Sequence, residues 1–249
     1  MKILRLLPVL LLSAGALNAA DWNTYRGDSA RSGYTSDNLP GKLSLQWTYR
    51  SHVPDSAWPS SPRQEFDRAF QTIIADGLLY FGSSADHQLH AIDAITGEER
   101  WSYFTDGPIR LAPVCADGRI YCVSDDGHLY CLDAKTGKLE WKRRGGPTAR
   151  RILGNDNISS IWPARGGPAV ANGIIYWAAG IWPSEGIFIE ALKLENGKRA
   201  WLNDTDGFRY MPQPHGGANA ASGVSAQGHL VLDGGRVYLP TGRAVPASL

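Results

Sequence analysis

Ala91-Ile-Asp93-Ala-Ile-Thr96-Gly97-Glu-Glu-Arg-Trp101 decides the fold, because it recurs. A second copy is Cys131-Leu-Asp133-Ala-Lys-Thr136-Gly137-Lys-Leu-Glu-Trp141. A looser third is Ala191-Leu-Lys193-Leu-Glu-Asn196-Gly197-Lys-Arg-Ala-Trp201. The Trp-to-Trp steps are 40 and 60 residues, so the third copy carries an insertion of about 20. Self-similarity at this period is the signature of a repeat architecture. Upstream of each copy lies a tight-turn pair: Asp76-Gly77, Asp117-Gly118 and Asn172-Gly173, followed at a fixed offset by Tyr80, Tyr121 and Tyr176. Gly234-Gly235 before Val237-Tyr238 starts a fourth. Such pairs between β-rich runs mark type I′ hairpins, whose two central residues need positive φ.

Each repeat thus reads as four antiparallel strands in about 40 residues, the size of a β-propeller blade. The expected fold class is all-β: three complete blades with partial ones before and after. The Asp of the motif is expected to accept hydrogen bonds from its own Thr-Gly turn. Trp47, Trp101, Trp141 and Trp201 are read as structural docking residues, each indole packing on a neighbouring blade.

At these residues the chain resembles the PQQ-type (pyrroloquinoline-quinone-like) β-propeller repeat family, whose docking motif has the form A-x-D-x-x-T-G-x-x-x-W. Lys193 and Asn196 depart from it. The resemblance covers roughly residues 40–249. It implies a propeller of seven or eight blades, about twice this length, so the chain reads as an N-terminal fragment; a closed four-bladed ring is the alternative. It also implies one of two functional branches. One is quinoprotein dehydrogenases using PQQ and Ca²⁺ on alcohols or sugars. The other is non-catalytic scaffolds, outer-membrane assembly among them. The first branch implies adjacent cysteines, whereas Cys115, Cys122 and Cys131 are separated, and C-x-x-C-H is absent. No cofactor is therefore expected for this chain, with PQQ and calcium belonging to the dehydrogenase alternative. Asn155, Asp156 and Glu185 carry suitable oxygens, but their spacing singles out no calcium site.

The chain has 249 residues and a net charge of +1, with 43% hydrophobic and 20% charged residues. That balance excludes a disordered chain or a fibre and gives no footprint for nucleic acid. Its 28 Gly, 15 Pro and 9 Trp fit many short strands and turns. Lys2 and Arg5 precede an apolar run from Leu6 to Leu17, then Ala19 and Ala20. Residues 1–20 read as a signal peptide, too short to span a bilayer, and 21–249 as the propeller domain. An uncleaved anchor is the alternative. Cleavage would remove two of 25 basic and none of 24 acidic residues, turning +1 into −1. The expected location is outside the cytoplasm, as an exported periplasmic, cell-envelope or secreted protein, with no transmembrane segment after cleavage.

If Asp126-Gly127 is a two-residue hairpin loop, Cys122 and Cys131 face each other within disulfide range. Buried thiols are the other reading of this pair. Function is sought in segments that break the 40-residue rhythm: 51–68, 143–167, 181–185 and 209–217. Trp162, Arg165, Trp182, Gln213 and His215 are the candidate ligand-binding residues, since indole, guanidinium and amide groups near Gly-Gly turns suit a polar or sugar-like ligand. Packing, ion pairing and loop ordering are the structural alternatives for them. No catalytic residue or metal ligand is assigned. The reading is a binding or assembly scaffold for a protein partner or polar small molecule; a truncated quinoprotein dehydrogenase, or the front module of a larger enzyme, is the alternative.

Overall fold

The structure, a computed structural model, describes residues 20–39, 41–50, 67, 69–154, 157–213, 216–242 and 245–249. Residues 1–19, within the segment read as a signal peptide, together with His215, Asn155 and Asp156, and all of 51–68 except Asp67, lie outside the described residues. Four successive sheets follow the repeat. The first holds β1 (Ile73–Ala75), β2 (Leu78–Gly82), β3 (Gln88–Asp93) and β4 (Glu99–Phe104). The second holds β5 (Val114–Ala116), β6 (Arg119–Val123), β7 (His128–Asp133) and β8 (Leu139–Arg144), followed by a separate hairpin of β9 (Arg151–Gly154) and β10 (Asn157–Ser160). The third holds β11 (Gly166–Ala171), β12 (Ile174–Ala179), β13 (Phe188–Lys193) and β14 (Arg199–Asn203), followed by the hairpin β15 (Tyr210–Pro212) and β16 (Asn219–Ala221). A short β17 (Gly228–His229) joins β11 in parallel. The last sheet is β18 (Val231–Asp233), β19 (Arg236–Leu239) and β20 (Ala247–Ser248). Neighbours within each of the four blade sheets run antiparallel in chain order, as a propeller blade requires.

The turn pairs adopt the geometry their sequence demands. Asp76, Asp117 and Asn172 sit at φ 50–51°, and the glycines after them at 71–76°. The motif turns form as well: Asp93 accepts from the Thr96 amide at 2.8 Å, and Asp133 from the Thr136 amide and hydroxyl at 2.8 and 2.7 Å. Asn196, where the third copy departs, still caps the Lys198 amide at 3.0 Å, the job of Thr96 and Thr136.

The indoles link one blade to the next. Trp101 Nε1 donates to the Ala134 carbonyl at 3.0 Å, and a Cβ placed on Gly137 would lie 2.6 Å from the same ring. Trp47 repeats this on Ala94 at 3.1 Å and on Gly97, and Trp141 lies over Gly197. A glycine is needed there because the flat ring occupies the side-chain space. Buried clusters from consecutive blades alternate with these contacts: Tyr80, Leu89, Ile120 and Tyr130 between the first two, and Val123, Leu129, Ile175 and Trp177 between the next two.

The cysteine pairing expected above is corrected. Ser124 N donates to His128 O and Gly127 stands at φ 87°, so residues 125–127 make a three-residue loop. Tyr121 therefore faces Cys131 and Cys122 faces Tyr130. This one-residue slip sends the two thiols to opposite faces of the sheet, into different core clusters. All three cysteines are free and buried. Burial raises Cys115 to about 11 and Cys131 to about 12, so both are neutral thiols at physiological pH.

One segment had no signal in the repeat. Residues 22–31 lie against the first strands of the blades: Trp22 exchanges two backbone hydrogen bonds with Ile74, Asn23 O accepts from Cys115, and Ser29 O accepts from Leu232. Arg31, buried, donates to the carbonyls of Pro168 at 2.9 Å and Leu230 at 3.0 Å. Beside it Tyr25 stacks on His229 at 3.8 Å. Burial, with Arg31 adding to it, drives His229 down to about 3; as a neutral ring it lies 2.5 Å from the Gln71 amide oxygen.

In the first blade His90 is 3% exposed and lies between Glu99 (2.8 Å) and Asp86 (3.1 Å), stacked on Phe81. Burial disfavours its charge, but the two carboxylates outweigh it and raise its pKa. A group with a raised folded pKa stabilises fully below its unfolded value, about 6.5, and loses that contribution as pH climbs through the folded value. The melting temperature is therefore expected to fall as pH rises above about 6.5, and the same decline should be absent from His90→Gln. Equal profiles for the two proteins would contradict the charged role of His90.

Candidate functional site

Two places collect the residues expected to bind. The first joins the second blade to the third. Asp125, its side chain 3% exposed, receives Arg165 through both oxygens at 2.9 Å and Arg110 at 2.7 Å. Arg110 reaches on to Asp67 at 2.8 Å. Burial opposes the Arg110 charge, but Asp125 and Asp67 outweigh it and hold its pKa above the ordinary arginine value. The backbone holds the site in place: Asp125 N donates to Pro108 O, and Asp125 O accepts from Ser160. Arg165 is thus ion-paired within the protein, and Arg110 and Asp125, which motif reading passed over, are its partners. The Asp125-Asp126-Gly127 run signals only a turn in the sequence. Nothing in it shows which arginines meet it across 15 and 40 residues.

Trp162 is corrected from a ligand contact to a core residue. It is 4% exposed, donates through Nε1 to Glu185 O at 2.6 Å, and meets Phe188 edge-on. Gly146 lies close over its ring. No face is left for a ligand.

Trp182 and Gln213 do come together. Both line a cavity of about 590 Å³ with Ile181, Pro183, Ser222, Ser225 and Gln227. Trp182 is 39% exposed and begins the short 3₁₀ turn Pro183–Glu185, where Pro183 fixes the local φ. Ser225 donates to Ile181 O at 3.0 Å, and Gln227 donates to Ser225 at 3.2 Å, so two walls are tied together. Among the described residues, no ionisable side chain lines the cavity. An indole beside amides and hydroxyls can stack on an apolar face and hydrogen-bond hydroxyl groups, without attracting charge. Ser222, Ser225 and Gln227 were not singled out in the sequence, since they come from a stretch with no motif.

Among the described residues no three His, Cys, Asp or Glu side chains converge on a metal position. Arg110 and Arg165 are both turned onto Asp125. Glu185 offers its backbone carbonyl to Trp162.

A family model described as outer membrane protein assembly factor BamB matches residues 45–245. The chain belongs to the PQQ-type β-propeller repeat family. The dehydrogenase subunit of the quinone alcohol dehydrogenase of Gluconobacter oxydans (strain 621H) is 27% identical over 220 residues, 81% of this chain and 26% of that protein. Its counterpart in Gluconacetobacter polyoxogenes is 31% identical over 162 residues, 60% of this chain and 21% of that protein. Among solved structures, quinohemoprotein alcohol dehydrogenase ADHIIG from Pseudomonas putida HK5 superposes with a TM-score of 0.64 at 19% identity, covering 88% of this chain and 34% of that one. The quinohemoprotein alcohol dehydrogenase of Comamonas testosteroni gives 0.62 at 20% identity, covering 89% and 35%. These likenesses show the propeller fold. The chain spans about a quarter of the length of these curated relatives. Among the described residues no helix is long and apolar enough to cross a membrane.

Proposed function

We propose that this propeller segment is an exported binding or assembly scaffold, and that the Trp182–Gln213 cavity takes an uncharged polar ligand or an uncharged polar loop of a protein partner. The carrying observation is the convergence of Trp182, Gln213, Ser222, Ser225 and Gln227 on one cavity, with no ionisable group among the described lining residues. The internal pairing of Arg110 and Arg165 with Asp125 supports the same reading, because it leaves those cations structural. A panel of neutral oligosaccharides titrated calorimetrically against the full-length protein tests it. A saturable binder is expected, weakened about tenfold in Trp182→Ala, the loss of roughly 1.4 kcal/mol of stacking. No binder in the panel, or equal affinity in the variant, would count against the cavity.

A second reading is that the segment belongs to a quinoprotein alcohol dehydrogenase. The relatives with that name, 27–31% identical, favour it. Its catalysis would need residues outside those described. Dye reduction by the full-length protein with PQQ, Ca²⁺ and an alcohol separates the two readings.

A further inference from the structure

A second cavity, of about 550 Å³, opens between the end of β8 and the third blade. Its lining includes His128, Lys142, Arg143, Arg144, Phe188 and Arg199, and no acidic side chain among the described residues. The neighbouring carboxylates are sealed from solvent. Glu190 is 1% exposed and accepts from Arg143 at 3.2 and 3.3 Å and from Arg199 at 2.7 Å. Asp126 has no exposed side-chain surface and lies 3.2 Å from His128. One buried carboxylate is thus shared by two guanidinia; with Asp126 counted these charges cancel, and the excess positive charge at the groove is that of Lys142 and Arg144. Arg144 folds over the loop, donating to the Gly146 carbonyl at 3.1 Å and that of Pro147 at 3.3 Å. Lys142, exposed at the rim, stands 5.5 Å from the Tyr130 ring centre.

We propose that this groove is a binding site for a small multivalent anion carrying clustered phosphate or carboxylate oxygens. A concave, partly apolar wall concentrates the field of like charges, and guanidinium groups meet such oxygens in pairs. The concentration is local: the whole chain carries only +1. The volume exceeds that of a single inorganic phosphate, and the cations approach from two blades, which favours a ligand with at least two charged groups. The site is separate from the uncharged Trp182 cavity and stands whether or not that cavity binds.

Calorimetric titration of the full-length protein with pyrophosphate, citrate and glucose at low salt tests the proposal. Pyrophosphate or citrate should bind at one site per chain, weaken steeply with added salt, and lose at least tenfold in affinity in Lys142→Gln/Arg144→Gln; whichever of the two binds more tightly identifies phosphate or carboxylate chemistry. The milder Lys142→Gln, on an exposed side chain, serves if the double variant fails to fold, and a threefold loss is expected of it. Glucose should not bind. Failure of both anions to saturate, unchanged affinity in the variants, or glucose binding equal to that of the anions would overturn the assignment.

Discussion

Replacing Gly137 with valine is expected to destabilise the protein by about 3–5 kcal/mol, the range seen when a large aromatic loses its packing. Two effects combine. Gly137 stands at φ 69°, where a residue with a Cβ is strained by roughly 1–2 kcal/mol. A Cβ there would also lie 2.6 Å from Cδ2 and Cε3 of Trp101, so the indole must leave its place and its hydrogen bond to Ala134. Gly118 separates the two effects. It has a similar φ of 71°, and a Cβ added to it would meet nothing within 4 Å, so Gly118→Val should show the backbone strain alone. Urea denaturation of both variants measures the difference. Equal losses would mean that the indole contributes nothing to holding the blades together.

Asp125→Ala should be the most damaging change away from the docking tryptophans. It leaves two guanidinia facing each other without the carboxylate that receives both. Breaking a buried ion pair from one side typically costs about 3–5 kcal/mol; the partial exposure of Arg110 and Arg165, 19% and 33%, lowers the expectation to about 2–4 kcal/mol. Adding Arg165→Met to Asp125→Ala should recover part of the loss, because one uncompensated charge is removed. Strict additivity of the two changes in a double-mutant cycle would contradict a shared ion-pair network.

The repeat carried most of the fold because its signals are local. Asp76-Gly77 and Thr96-Gly97 each act within a few residues, through turn geometry, and Trp101, which reaches Ala134 in the next blade, is legible because it recurs at the same place in each copy. The disulfide reading failed on a quantity that is not local. Asp126-Gly127 is compatible with a two- or a three-residue loop, and only the pairing of the flanking strands selects the second. Trp162-Pro163 and Trp182-Pro183 are the same dipeptide, yet one indole is in the core and the other at a cavity. Their difference lies in neighbours brought in from distant strands, Phe188 for the first and Gln213 for the second. The Asp125 cluster and the Arg31 hub were hidden for the same reason: each joins residues from separate blades, and an ion pair leaves no periodic trace. Residues 22–31 carry no repeat at all, since they pack against four blades instead of forming one.

We propose that this propeller binds a partner or ligand through its loops without a quinone reaction of its own. Titrating the full-length protein with PQQ in the presence of Ca²⁺, and following dye reduction with alcohols and sugars, tests it most directly. The expected result is no saturable PQQ binding and no turnover above buffer. Tight, calcium-dependent PQQ binding with substrate-dependent dye reduction would contradict it and place the segment inside a dehydrogenase.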